Sequence, residues 1–164
     1  MGAPQPRTPK PPLMADAPVR AALMITCLGD MLYPDVGVSK LGVTVEFPRG
    51  QTCCGLPLFN SGYHVEARKL AERLVTIFRD APYVVVPSGS CAWMVKHEVP
   101  GLLKDTPFAA DALRLAAKSY ELSQFLVRVL GKTSFTGRVR GRVTYHDSCH
   151  LLRGLHESAT PREI

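Results

Sequence analysis

Four short apolar runs punctuate the chain, and longer stretches of helical periodicity separate most of them. Residues 21–26 (AALMIT), 43–47 (VTVEF), 83–86 (YVVV) and 142–145 (RVTY) have the length and composition of strands. AALMIT and YVVV lack the polar–apolar alternation of a half-exposed strand, as expected where both faces of a parallel sheet are covered. Residues 62–79 place Tyr63, Ala67, Leu70, Leu74 and Ile77 or Phe78 on one helical stripe. Arg68, Lys69, Glu72, Arg73 and Arg79 fall largely on the opposite side, and Asn60 or Ser61 suits the helix start.

Other helical segments are less regular. Residues 30–41 carry a weak pattern through Met31, Leu32 and Val36, broken by Pro34 and Gly37. A helix is expected to open at Cys91, run to about His97 and stop at Pro100-Gly101. Residues 108–130 read as one or two helices. Leu113, Ala116 and Ala117 form one stripe, and Leu122, Phe125, Leu126, Val129 and Leu130 a second that ends at Gly131. A last helix begins near Leu151. Strands alternating with helices predict an α/β fold, a parallel sheet with flanking helices and right-handed crossovers.

The first twenty residues hold six prolines and little that packs, so 1–20 reads as a disordered or polyproline-like tail, with Met14 a possible natural start. Composition adds bounds. Of 164 residues, 46% are apolar, enough for one buried core. The net charge is +6, concentrated at Arg7, Lys10 and Arg20 and at Lys132, Arg138, Arg140, Arg142 and Arg153. No basic helix carries interleaved aromatics, which disfavours nucleic-acid binding; an anionic small substrate or an acidic partner accounts for the charge as well. With no secretory apolar region and no run near the roughly 20 apolar residues of a membrane span, a cytoplasmic location is expected.

That compartment makes structural disulfides rare, so the five cysteines need another account. Cys27, the adjacent pair Cys53 and Cys54, Cys91 and Cys149 each follow one of the four predicted strands. C-terminal strand ends of a parallel sheet share one rim, where ligands bind. Two adjacent thiols followed by Gly55 are hard to explain as packing, because neighbouring side chains of an extended segment point apart. A turn made possible by Gly55 can aim both at one object. Cys91 and Cys149 stand near helix starts, where the dipole favours thiolate. Taken singly, Cys27 or Cys91 also suits a small core position.

Zinc competes as the metal, but its usual closely paired cysteine spacing is missing; iron–sulfur clusters accept scattered cysteines more readily. His146 and His150 flank Cys149 and suit ligation, hydrogen bonding to a cluster, acid–base work or a plain turn role. His64 and His97 read as surface residues, and Ser88, Ser90 and Ser148 as helix caps. His146, Asp147 and Ser148 are consecutive, which does not suit a hydrolytic triad.

The stretches TCLGDMLYPDVG, VEFPRGQTCCGLPLFNSGYH, YVVVPSGSCAWMVKH and RVTYHDSCHLLRGL give a more specific lead. Together they resemble the cysteine-rich CCG-domain family found in heterodisulfide reductase and in the iron–sulfur subunit of glycolate oxidase. Within it they look most like the lactate utilisation A group. The resemblance implies a Rossmann-like CCG domain over 21–140 and the start of a second, truncated repeat over 141–164. It implies a [4Fe–4S]-type iron–sulfur cluster on Cys27, Cys53, Cys54 and Cys91, with Cys149 a further candidate ligand. Gly55, Ser88, His146 and His150 would then lie around the ligands. The implied function is an iron–sulfur oxidoreductase component of L-lactate oxidation to pyruvate, passing electrons with partner subunits that act on a small 2-hydroxy acid.

Three departures from the family pattern stand out. Ser88 occupies a position where the family carries a cysteine. Only 25 residues separate Cys27 from Cys53, which leaves a stunted crossover helix. The second repeat has no CCG triplet of its own. Two alternatives stay open: a cluster-free thiol redox protein using Cys53, Cys54 and Cys91, and a non-catalytic truncated subunit that only binds partners.

Overall fold

The computed structural model describes residues 18–24, 26, 43–134 and 140–164. Cys27, the weak helix expected at 30–41 and nearly all of the proline-rich tail lie outside the described residues. The rest forms an α/β fold around four parallel strands in the order β2-β1-β3-β4. These are β1 (Val19–Leu23), β2 (Val43–Glu46), β3 (Val84–Val86) and β4 (Ser119–Glu121). Val19 pairs with Val43, Leu23 with Val85, and Val84 with Ser119.

Three strands sit where the apolar runs predict them. The fourth does not. Arg142–Tyr145 forms no strand, and Val143 is 77% exposed. A strand exists only where a neighbour offers its ladder groups. The edge beyond β3 is already taken by Ser119–Glu121, inside the stretch read as helix.

Alternation along β3 divides the core. Val84 and Val86 join Ala22 and Met24 on one face, while Val85 joins Ala21, Val43, Phe125 and Val129 on the other. The first face is covered chiefly by α2 (His64–Ile77), α3 (Gly89–Trp93), α4 (Val99–Leu103) and α5 (Ala109–Lys118). A π-wound stretch, π1 (Met94–Glu98), links α3 to α4. The opposite face is covered by π2 (Phe125–Val129), which continues the short α6 (Leu122–Gln124). Phe78 and Phe125, both 0% exposed, anchor the two sides; full burial of such a side chain contributes about 1.5–3 kcal/mol.

Several local expectations change with the tertiary structure. Pro100 does not stop its helix: the backbone runs on from π1 into α4, with Pro100 near the junction where the winding changes. Asn60 and Ser61 end the short helix α1 (Leu56–Asn60) instead of capping α2, whose first turn follows Tyr63 with no side-chain cap. Tyr63 is exposed. On α5 the buried residues are Ala112 and Leu115, with Leu113 turned to solvent. Gly131 does take the left-handed conformation expected of a helix stop, at φ 65°. Among the described residues no helix is long and apolar enough to cross a membrane.

Two lysines close helix ends that would leave carbonyls unpaired. Lys118 Nζ donates to the carbonyls of Phe78 (2.7 Å) and Arg79 (2.6 Å), just past α2. Lys96 Nζ donates to Ala116 (3.1 Å) and Ser119 (2.9 Å), where α5 turns into β4. Burial and the neighbouring Arg128 charge push the Lys96 ammonium below its ordinary pKa.

The last part of the chain is held by a buried carboxylate. Glu157 is 1% exposed and accepts from Arg128 Nη2, from Gln124 Nε2 (3.1 Å) and from the amides of Ala159 (3.2 Å) and Thr160 (3.0 Å). Ser123 and Thr160 share a hydroxyl bond of 2.9 Å beside it. These contacts dock π3 (His150–Gly154) and α7 (Thr160–Glu163) onto the body. Glu157→Ala leaves two amides and Gln124 without their acceptor and is expected to lower stability by about 2 kcal/mol. Urea unfolding checks this against Leu152→Ala, an exposed change expected to cost under about 0.5 kcal/mol.

Candidate functional site

The strand order places a topological switch between β1 and β3: the chain moves outward from β1 to β2, then returns to the other side of β1. Open parallel sheets bind ligands beyond the carboxyl strand ends at such a point. Loop 47–55 is drawn back to it by two bonds. Gln51 Nε2 donates to the carbonyl of Leu23 at the end of β1 (3.0 Å), and Arg73 Nε of α2 donates to the carbonyl of Gly50 (2.7 Å).

Gly55 ends the loop at φ 88°, a left-handed conformation costing a residue with a Cβ about 1–2 kcal/mol. A Cβ there would meet only ordinary contacts, the nearest at 3.6 Å, so backbone conformation alone calls for glycine. Its carbonyl accepts from Phe59 and starts α1. The bend leaves Cys54 4% exposed in the first core, with Cys53 half-buried at its margin.

Cys91 arrives from the other side of the switch, in the first turn of α3 after β3. Its sulfur lies 3.3 Å from that of Cys54, which donates to it. This bond, more than the Ser88 and Ser90 hydroxyls that also face the sulfur, pulls the Cys91 pKa down to about 7 against the opposing effect of burial. The same bond, with burial second, drives the Cys54 thiol upward. Around neutral pH Cys54 therefore keeps its proton while Cys91 is the partner that begins to ionise.

Ser88 and Ser90 depart from their expected capping roles. Ser88 precedes α3 in extended conformation without a side-chain cap bond, and its hydroxyl meets that of Ser90 at 3.1 Å. Ser148 does cap, its hydroxyl accepting from the amide of Leu151 three residues on (3.4 Å). The segment around Ser148 matters more through packing. A Cβ on Gly89 would lie 2.7 Å from Leu151 Cβ and 3.0 Å from Ser148 Oγ, and one on Gly154 2.2 Å from the Trp93 ring. Two glycines thus let residues 148–154 press onto α3, the helix that carries Cys91. Trp93 lies between His97 (ring centroids 6.1 Å) and His150 (4.8 Å).

The predicted residues divide accordingly. Cys54 and Cys91 are brought into contact, Cys53 borders the same core, and Gly55 and Ser88 flank the thiols. Cys149 is exposed and follows no strand, His146 is exposed, and His150 is half-buried against Trp93. His64 and His97 are exposed on their helices, as expected. Among the described residues, no group of three or more His, Cys, Asp or Glu side chains is gathered closely enough to hold a metal ion. Sequence reasoning passed over Gln51, Gly89 and Trp93. A lone tryptophan two residues after a cysteine was the available signal for the last.

This is the geometry of a parallel-sheet domain with thiols gathered at one rim. Residues 21–96 match the cysteine-rich (CCG) domain family. The chain is also similar to Lactate utilization protein A of Halalkalibacterium halodurans, 46% identical over 153 residues, covering 89% of this chain and 62% of that protein. The proteins of the same name from Oceanobacillus iheyensis (44% identical, 62% of its length) and Geobacillus kaustophilus (46%, 64%) match over the same 89% of this chain. The chain therefore spans less than two thirds of the length of these curated relatives. No solved structure matches it.

In reduced, metal-free protein, alkylation of Cys91 followed against pH by peptide mass spectrometry should rise with a midpoint near 7, thiolate above it and thiol below. Cys54→Ala removes the strongest donor and should move the midpoint up toward the ordinary thiol range. An unchanged midpoint would assign the shift to the Ser88 and Ser90 hydroxyls instead.

Proposed function

We propose that this chain binds an iron–sulfur cluster at the β1–β3 switch and serves as an electron-transferring component of lactate oxidation, working in the cytoplasm with partner subunits. The observation that carries the reading is the meeting of Cys54 and Cys91, thiols from segments on opposite sides of the switch, with Cys91 the more readily ionised. Similarity to the lactate utilization proteins supports the substrate assignment, in which the partners act on a small 2-hydroxy acid.

The donor chemistry fits such a group. Thiolates are the ligands iron–sulfur clusters take. Cys91 gives up its proton readily, so loading has only the Cys54 proton to displace at this pair. Cys54 and Cys91 would hold the cluster from the two sides of the switch, and their present contact would have to open to admit it. Cys53 and Cys27 would complete the ligand set. A bound cluster supplies electron transfer, which no side chain here provides.

The protein's own residues prepare the place. Gln51 and Arg73 hold the loop, Gly55 turns it, and Ser88 and Ser90 direct hydroxyls at the Cys91 sulfur. Residues 148–154 and Trp93 shield one side of α3 from water.

Anaerobic reconstitution with iron and sulfide should give coloured protein with stoichiometric iron and acid-labile sulfide. Cys27→Ser, Cys53→Ser, Cys54→Ser and Cys91→Ser should each lose most of that iron, and Cys149→Ser should keep it. Colourless, iron-free protein that still co-purifies with the lactate-oxidising subunits would reduce the chain to a binding component.

A further inference from the structure

The thiols that meet at the switch lie at different depths, and that difference suggests a second chemistry. Cys54 and Cys91 are 3.3 Å apart, while a disulfide needs about 2.05 Å, so closure asks for little more than an ångström of sulfur movement. Two competing pairings are poorer. Cys53 and Cys54 are adjacent in the chain, where the diverging Cβ vectors strain a bond. Cys149 is exposed on a separate segment.

Access sets the order of events. Cys91 is half-buried at the start of α3, and Cys54 is 4% exposed behind it. Of the two, a dissolved oxidant therefore meets Cys91 first. We propose that metal-free protein carries a reversible Cys54–Cys91 disulfide couple, in which Cys91 is the entry thiol and Cys54 the resolving thiol, and that the oxidised form is closed to iron.

The co-reactant is a small-molecule disulfide. Cys91, as thiolate, attacks one of its sulfurs; a Cys91–small-molecule bond forms, the small disulfide breaks and one small thiolate leaves. Cys54 then gives up its proton to solvent and attacks the Cys91 sulfur, expelling the second small thiolate. Two protein thiols lose two electrons and two protons in all, and the small disulfide, reduced to two thiols, takes them up. A dithiol reductant reverses both steps. This inference shares two residues with the proposed cluster site, since the disulfide withdraws two of its ligands.

The experiment uses full-length, reduced, metal-free protein and oxidised glutathione. Intact mass should fall by two hydrogens, and peptide mapping should find the link between Cys54 and Cys91. Cys53→Ser and Cys149→Ser should still form it, whereas Cys54→Ser should stop at a glutathione adduct on Cys91. Linkage elsewhere, a lasting glutathione adduct on the wild type, or no mass change would overturn the proposal. Iron uptake is read separately. Oxidised protein should take up less than a tenth of the iron that reduced protein does, and equal uptake by both would overturn the gating claim. Reduced protein that forms the disulfide but never binds iron would remove the cluster reading and leave the dithiol couple standing.

Discussion

One hydrogen bond between two sulfurs organises the rim of this molecule. Cys54 and Cys91 belong to segments 37 positions apart, and their contact ties the loop after β2 to the helix after β3. Neither segment could bring its thiol there alone. The loop must recross the end of β1, which Gln51 secures by reaching the Leu23 carbonyl, and must then reverse through Gly55. The helix must start directly beyond β3, in register with β1 through Ala22 and Val84. The pair is thus a readout of the sheet order. Exchange β1 for any other strand between β2 and β3, and the two sulfurs separate.

Burial and charge are balanced at this contact in an unsymmetrical way. A thiolate inside a core is costly, and burial works against Cys91 ionising. Three donors, one thiol and two hydroxyls, more than offset that penalty. Cys54, deeper and facing the charge it helps create, holds its proton harder. Stability and reactivity therefore come from one arrangement. The neutral member sits in the apolar core, and the charged member sits at the margin, where serine hydroxyls are available.

The sheet and this pair were legible in the amino-acid sequence because both leave strong local marks. Apolar runs announced β1 to β3, and an adjacent cysteine pair before glycine announced the loop. What was not legible depends on neighbours. Ser119–Glu121 has no apolar run, and Ser119 is buried only because its hydroxyl bonds to the Leu115 carbonyl at 2.7 Å as β4 pairs with β3. Arg142–Tyr145 has the composition of a strand but pairs with none of the four. Pro100 reads as a breaker until the turn before it is known. Glu157 carries no periodic mark, although its buried carboxylate fastens the final segment. Cys149 was expected at the rim through the strand before it, and without that strand it stays on the surface.

Ser88 shows how a hydroxyl beside a thiol can tune it. It stands three residues before Cys91. A hydroxyl is a better donor than a thiol and a poor soft-metal ligand. With Ser90 it forms a pair 3.1 Å apart, facing a thiol whose pKa is pulled down toward neutrality. A cysteine at 88 would add a third sulfur to a crowded pair and bring a second group that must lose a proton. Serine instead stabilises charge on Cys91 and leaves Cys91 the more reactive member of the pair. Serine at 88 thus favours Cys91 as the entry point of the pair for metal or oxidant.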